Sequence, residues 1–453
     1  MNKNPRLYVI GGLAAGPSAA SKAKRVNPDA EVVLIEQTQY ISYGICEIPY
    51  YLSGEYESRN DLVVYSPERL REKKGVRVLS DHRVEEIDRK ARTITIFDRK
   101  RRTSNTAEYD KLILATGSKP NLLQEEHLRA DNLFTVKELG AAYRLHAMLK
   151  DEQPRRAVVV GGGYIGLELC ETFRRLAIDV TLLHRHEYPF TGTDPAIGEL
   201  IVSELRSNGV RFVLNENVTG FEMTKEGKVR SVVSEKHSYE ADIVILAIGV
   251  SPNVSLAADA GIVTGELGGV RADERQLTND GNIYAAGDCC EVKNCITGRP
   301  TYLPLATVAS KTGRTAGENA AGGNSTFRGA IKNVAVRLFA LEIARVGLTD
   351  SEAHDAGYHT TAEVIEAPSR VVGMPGAEKL TVRYVADTAS GKLLGASFVG
   401  KDGAAQRANV IASMLRMGAT VADISQLDLM YAPPFSTLWD PILIAANQTL
   451  NKL

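Results

Sequence analysis

The chain has 453 residues, with 54 lysines and arginines against 55 aspartates and glutamates, a formal charge of -1. No global field would therefore recruit nucleic acid or an anionic membrane. A hydrophobic share of 44% excludes a disordered or fibrous chain, and at roughly 150 residues per domain two to four domains are predicted.

The five cysteines lack repeated close spacing, which speaks against a disulfide-stapled module or a zinc site; no metal is expected. The amino end has only a short apolar run before its glycines, and no run approaches the ~20 apolar residues of a membrane span. A soluble protein of the reducing cytoplasm is expected, with no membrane or nucleic-acid partner.

In chain order, the apolar run Leu7 to Ile10 stops at Gly11 and Gly12, a helix is predicted from Ala14 to Arg25, and EVVLIE (Glu31 to Glu36) reads as a second buried strand. In this β-α-β unit Gly11 would allow the tight turn and Gly16 the close helix-strand contact, while the helix amino end presents N–H groups to a pyrophosphate. Leu13 stands at the middle position, so the loop alone fits an ordinary strand-to-helix turn as well. Glu36, 20 residues after Gly16, is where a carboxylate can accept both ribose hydroxyls.

Cys46 follows in SYGICEIPYY. A helix amino end there could lower its thiol pKa. The position five residues on, where a dithiol enzyme would need a partner, is Tyr51. Redox cycling would need a sulfenic acid or a mixed disulfide; the alternative is a buried, inert thiol. The run KLILATG (Lys111 to Gly117) is another glycine-ended strand.

The β-α-β pattern recurs at AVVV (Ala157 to Val160), GGGYIG (Gly161 to Gly166), a helix to about Leu176 and a strand from Asp179 to Leu183. All three glycines, Gly161, Gly163 and Gly166, are in place, with Tyr164 and Ile165 between the last two. The acidic ribose ligand is replaced, 18 residues after Gly166, by His184 with Arg185 and His186. Cationic or protonatable groups there suit a 2′-phosphate; a solvated strand end is the alternative. DIVILAIG (Asp242 to Gly249) closes this unit, and NIYAAGD (Asn282 to Asp288) returns the chain to the first. Gly287-Asp288 could hydrogen-bond a flavin ribityl hydroxyl or bridge toward the diphosphate. Cys170 reads as core, and Cys289, Cys290 and Cys295 lack the spacing of a metal site.

Beyond about Phe327 the patterns suggest an antiparallel sheet with helices, ended by the proline-broken LDLMYAPPFSTLWDP. The fold class is α/β: two Rossmann-like dinucleotide-binding domains plus an α+β carboxy-terminal domain. The expected divisions are 1–120 and 250–326 for the first domain, 121–249 for the second and 327–453 for the third.

With these motifs assembled, the chain resembles the flavin-dependent pyridine-nucleotide disulfide reductase superfamily. It is most similar to the single-cysteine branch of coenzyme A disulfide reductases, NAD(P)H-dependent persulfide reductases, NADH oxidases and NADH peroxidases. GGGYIGLE, LILATGS, YAAGD, SYGICEIPYY and YAPPFSTLWDP carry the resemblance over the whole length. It implies FAD, NADPH or NADH, a coenzyme A-type substrate or ligand, and a homodimer whose carboxy-terminal domain lends residues to the partner's active site.

It also implies cofactor contacts from Val84, Thr116, Gly117, Lys137, Glu168, Gly249 and Ala306. Cys46 would be the redox nucleophile, Tyr431 a proton donor from the partner subunit, and Tyr164 a gate over the nicotinamide. Lys22, Arg25, Lys74 and Arg314 would meet the phosphates of coenzyme A, with Ser42 and Ser310 nearby. Lys22 and Arg25 also fit the wet face of a helix.

Several positions depart from the family pattern. Ala14 stands where the oxidases and peroxidases carry a histidine, which weakens oxygen- or peroxide-directed readings. Ser310 replaces an asparagine, Glu47 a small residue, and Met374 lies where a second tyrosine belongs. A persulfide or another small disulfide therefore stays open as substrate, and an NAD(P)H oxidase or an electron-transfer subunit is the alternative activity. No rhodanese-like segment is expected beyond Leu453, and sulfur transfer is expected to need a separate donor.

Overall fold

The computed structural model describes residues 4–123 and 130–453. Its first sheet is parallel and five-stranded, in the order Ile283–Ala285, Lys111–Leu114, Arg6–Ile10, Glu31–Glu36, Arg77–Ser80. Both faces are covered, which is why its strands read as unbroken apolar runs. Leu7 and Val9 pack against the helices Ala15–Val26 and Ala306–Ala320, while Ile10, Val33 and Ile35 pack against the antiparallel strands His82–Asp88 and Thr93–Asp98. The two helices touch through their backbones: a Cβ at Gly313 would lie 2.3 Å from Ala15 O, and at Gly317 2.1 Å from Ala19 O.

The second unit repeats this plan. Val210–Val213, Asp179–Leu183, Arg156–Val160, Ile243–Leu246 and Leu133–Phe134 form a second parallel sheet. The helix Tyr164–Arg175 covers one face, and the small sheet of Val218–Met223, Val229–Ser234 and Ser238–Glu240 covers the other. Where the chain passes between the units, Ser118–Pro120 pairs antiparallel with Val250–Pro252.

The third domain is an antiparallel five-stranded sheet in the order Asn333–Leu338, Leu341–Gly347, Leu393–Gly400, Lys379–Asp387, Thr360–Pro368. The helices Ala404–Met417 and Pro441–Leu450 close its core. One apolar cluster joins Ile48, Tyr51 and Leu52 of the cysteine segment, Leu167 and Phe173 of the second unit, and Val336 and Leu338 of the third domain. All three parts thus converge on the segment that carries Cys46. Among the described residues no helix is long and apolar enough to cross a membrane.

Candidate functional site

The two glycine loops superpose in detail. Gly11 and Gly161 have φ of 114° and 110°, and a Cβ on either would lie 2.0 Å from Ala115 O or 2.3 Å from Ala247 O. A Cβ on Gly16 or Gly166 would lie 1.8 or 1.9 Å from the oxygen of Gly11 or Gly161. Only glycine satisfies both conditions, the turn and the close approach. Gly163 differs, with no atom within 4 Å of its Cβ position. It leaves open space at the amino end of the helix Tyr164–Arg175, where N–H groups and the helix dipole suit a phosphate.

Glu36 and His184 hold equivalent places. Glu36 Oε2 accepts from Gly12 N at 2.8 Å and Oε1 from Thr38 N at 2.8 Å. Burial raises the pKa of this carboxyl, and the two N–H donors oppose the rise. His184 Nδ1 accepts from Gly162 N at 3.1 Å, so the proton sits on Nε2, which donates to Tyr188 O at 3.0 Å. Burial, then His186 and Arg185, lower its pKa to about 4. At neutral pH His184 is therefore an uncharged acceptor at the place that Glu36 holds in the first unit, and Arg185 beside it is exposed.

Cys46 is exposed in the short turn of helix Ile45–Glu47. Its thiol pKa is raised: burial of the sulfur's surroundings and the charges of Glu168, Glu47 and Asp288 push it up, and Lys137 opposes them. The expectation of a lowered pKa is thus corrected. A three-residue turn supplies little dipole, whereas three carboxylates disfavour the thiolate. Cys170, Cys289 and Cys290 are buried and Cys295 is half-buried; all five cysteines are free.

Around Cys46 the structure gathers residues from both units. Lys137 Nζ donates to Ser118 Oγ at 2.7 Å, Ser118 Oγ donates to Asp288 Oδ2 at 2.8 Å, and Lys137 Nζ lies 3.5 Å from that carboxylate. Tyr302, absent from the sequence-based candidates, is half-buried beside Asp288 and Ser118, and burial of its hydroxyl raises that group's pKa. Gly287 N donates to Thr312 Oγ1 at 3.0 Å, which ties the Asp288 turn to the helix beginning at Ala306. Thr116 Oγ1 donates to Asn253 O at 2.7 Å. Gly117 and Gly249 both have positive φ, 69° and 95°, and Val84 is core.

Glu168 Oε1 accepts from the Tyr50 hydroxyl at 3.0 Å. Burial and then Glu171 raise its pKa, to about 7. The Arg337 guanidinium lies 4.8 Å over the Tyr50 ring. The Tyr164 ring lies 6.1 Å from that of Phe190, and Ile165 packs at the edge of the shared core.

The residues proposed for a coenzyme A phosphate lie mostly on the two packed helices. Ser18 Oγ and Ser310 Oγ are 3.2 Å apart, and Arg25 and Arg314 are exposed. Lys22 is already paired with Glu318 at 2.8 Å, and Lys74 stands 5.9 Å over the Tyr65 ring, so neither is an unengaged cation. Ser42 has φ 49° and donates its N–H to Gly12 O at 2.8 Å.

Tyr431 is 49% exposed, among the exposed side chains of Met430, Phe435, Leu438 and Trp439. The turn holding Met374 is tied to this tail, with Val371 N donating to Pro433 O.

Against known proteins, residues 5–313 match the model of the pyridine nucleotide-disulphide oxidoreductase family, and residues 334–441 match that family's dimerisation domain. A relative from Pyrococcus horikoshii, the NAD(P)H coenzyme A polysulfide/persulfide reductase, is 33% identical over 447 residues, 98% of each chain. An NADH oxidase of Enterococcus faecalis is 31% identical over 456 residues, 99% of this chain and all of its own. The solved NAD-dependent persulfide reductase of A. fulgidus superposes with a TM-score of 0.95 at 32% identity, covering 99% of this chain and 83% of its own.

Proposed function

The chain belongs to the pyridine nucleotide-disulphide oxidoreductase family, and we propose that it spends NAD(P)H to reduce a disulfide or persulfide of coenzyme A through Cys46. The observation that carries this reading is the place of Cys46: one free thiol facing Lys137, Asp288 and Glu168, with no disulfide partner among the described residues. Relatives named for coenzyme A persulfide and coenzyme A disulfide reduction align along almost the whole chain.

The residues present fit a flavin dinucleotide. Glu36 lies at the ribose end of the first β-α-β unit, the amino end of Ala15–Val26 faces the pyrophosphate position, and Asp288 with Ser118 and Lys137 supplies polar groups next to Cys46. Bound FAD would accept the nicotinamide's hydride and supply an electron pair to sulfur. Open space at Gly163 admits the nicotinamide nucleotide's phosphates, and Tyr164 stands at the start of that helix as the gate.

The Cys46 thiolate attacks one sulfur of the substrate disulfide. A mixed disulfide with Cys46 forms and one thiolate leaves, protonated by the partner subunit's Tyr431. Reduction of the mixed disulfide by one electron pair and one proton then releases the second thiol and restores Cys46. Lys137 offsets the three carboxylates whenever Cys46 is ionised. Arg25 and Arg314 hold the phosphates of coenzyme A. Arg185 favours NADPH over NADH, and five free cysteines suit the reducing cytoplasm. The exposed apolar tail around Tyr431 forms the homodimer contact.

The test is steady-state turnover of coenzyme A disulfide and persulfide by the flavin-loaded enzyme, with Cys46→Ser alongside. Turnover that survives in the variant would overturn the reading. The Enterococcus NADH oxidase likeness makes oxygen the competing acceptor, so oxygen uptake that matches NAD(P)H loss and persists in Cys46→Ser would favour an oxidase instead.

A further inference from the structure

The third domain grips the second unit at residues 184–194, the loop between the strand Asp179–Leu183 and the helix Pro195–Ser207. This loop folds back over the second glycine loop. Phe190 N donates to Gly162 O at 3.0 Å, and its ring neighbours Tyr164. Phe190 has φ 58°, a left-handed conformation that a bulky residue adopts only where its surroundings impose it.

Those surroundings include two arginines of the antiparallel sheet. Arg345, on Leu341–Gly347, donates from Nη1 to Thr191 O at 3.2 Å and holds its guanidinium 6.0 Å over the Phe190 ring. Arg383, on Lys379–Asp387 and 8% exposed, donates from Nε to Asp194 Oδ2 at 2.8 Å and pairs with Asp350. Asp194 in turn caps the helix Pro195–Ser207, accepting from Ala196 N at 2.9 Å. Thr349 backs the turn between them, 3.2 Å from where a Cβ on Gly192 would lie.

Burying a guanidinium is costly unless its donors are used. Arg345 gives one donor to the loop, and Arg383 divides its donors between Asp194, the cap of the next helix, and Asp350 of its own domain. A loop already ordered when the nucleotide arrives does not lose that conformational entropy on binding.

We propose that Arg345 and Arg383 are positioning residues that hold the loop 184–194 in its nucleotide-receiving form, so that the third domain sets how tightly the second unit binds NADPH and how well it distinguishes NADPH from NADH. This rests on the reading of the loop as the nicotinamide-nucleotide site, which begins at His184 and Arg185.

The test uses the flavin-loaded enzyme with Arg345→Ala, Arg345→Lys, Phe190→Leu and, as reference, Arg185→Ala. It reads KM for NADPH and NADH, the dissociation constant of NADP⁺ by titration, and KM for coenzyme A disulfide. For Arg345→Ala the NADPH KM and the NADP⁺ dissociation constant are expected to rise about tenfold, the loss of a charge-assisted contact. The disulfide KM should stay within about twofold, and the preference over NADH should narrow. Lysine keeps a donor and a cation over Phe190, so it should recover most of the affinity.

Unchanged nucleotide binding in Arg345→Ala, with weakened binding in Arg185→Ala, would overturn the clamp and leave the nucleotide site standing. No effect in either variant would overturn the nucleotide site itself. Equal losses toward nucleotide and disulfide would also overturn the clamp, because they indicate general loosening. Should Arg345→Ala not fold, Phe190→Leu decides: it keeps an apolar side chain but removes the ring under the guanidinium, and unchanged NADP⁺ affinity would count against the proposal.

Discussion

At the scale of single residues, sign matters more than identity. Burial and then three nearby carboxylates raise the pKa of Cys46, so its reactivity needs Lys137 and whatever electron-poor group stands beside it. Anaerobic titration of the oxidised, flavin-loaded enzyme should consume two electron pairs and generate a long-wavelength thiolate-flavin band. Cys46→Ser should take up one pair and lack the band, and unaltered stoichiometry would remove Cys46 from the mechanism. His184 shows the same point for a base. Its folded pKa, about 4, lies below the ordinary 6.5, so the neutral form is favoured by folding. The stabilisation is fully present above pH 6.5 and is lost as pH falls from 6.5 toward 4. The KM for NADPH should accordingly show no inflection from His184 between about pH 5.5 and 7.5. An inflection that disappears in His184→Gln but persists in His186→Gln would show that His184 does charge.

At the scale of elements, the two glycine loops separate folding from binding. Gly166 meets Gly161 O at 1.9 Å through an added Cβ, while Gly163 meets nothing within 4 Å. Gly166→Ala should therefore destabilise the second unit by about 1–3 kcal/mol or more, as overpacking does. Gly163→Ala should leave the melting temperature unchanged yet raise the NADPH KM about tenfold, because its methyl occupies the phosphates' approach. If both variants lost stability equally, the open space at Gly163 would have no bearing on ligand. These loops were legible in the sequence because every constraint on them is local: a buried parallel strand reads as an apolar run, and its glycines stand at fixed offsets. The contacts that assemble the site have no local period. Tyr50 and Glu168 lie 118 residues apart, Arg345 and Thr191 154, and Arg383 and Asp194 189. The pKa directions at Cys46 and His184 were illegible for the same reason, since they come from burial and from charges brought in by other elements.

At the scale of the whole molecule, the apolar tail is the unfinished surface. Met430 is 95% exposed, Phe435 79%, Leu438 72% and Trp439 58%, side chains that a monomer in water would hide. Yet the tail is not loose. Arg407, 8% exposed, forks onto Asp440, with Nε 3.1 and 3.0 Å from Oδ1 and Oδ2 and Nη2 2.9 Å from Oδ2, and Ser436 Oγ donates to the same carboxylate at 2.7 Å. A rigid, apolar, exposed segment next to Tyr431 is what a second copy of the chain would cover, and aromatic residues of this kind dominate the energetics of such contacts. Replacing Phe435 and Trp439 together by aspartate places two charges in that contact. Sedimentation should then report a monomer, with the melting temperature of the second unit little altered. If Tyr431 serves the partner's Cys46, this monomer should lose tenfold or more in coenzyme A disulfide turnover while still passing electrons from NADPH to ferricyanide, a reaction that needs neither Cys46 nor Tyr431. A monomer with full disulfide activity would show that each chain completes its own site, and a dimer of unchanged affinity would show that the subunits meet elsewhere.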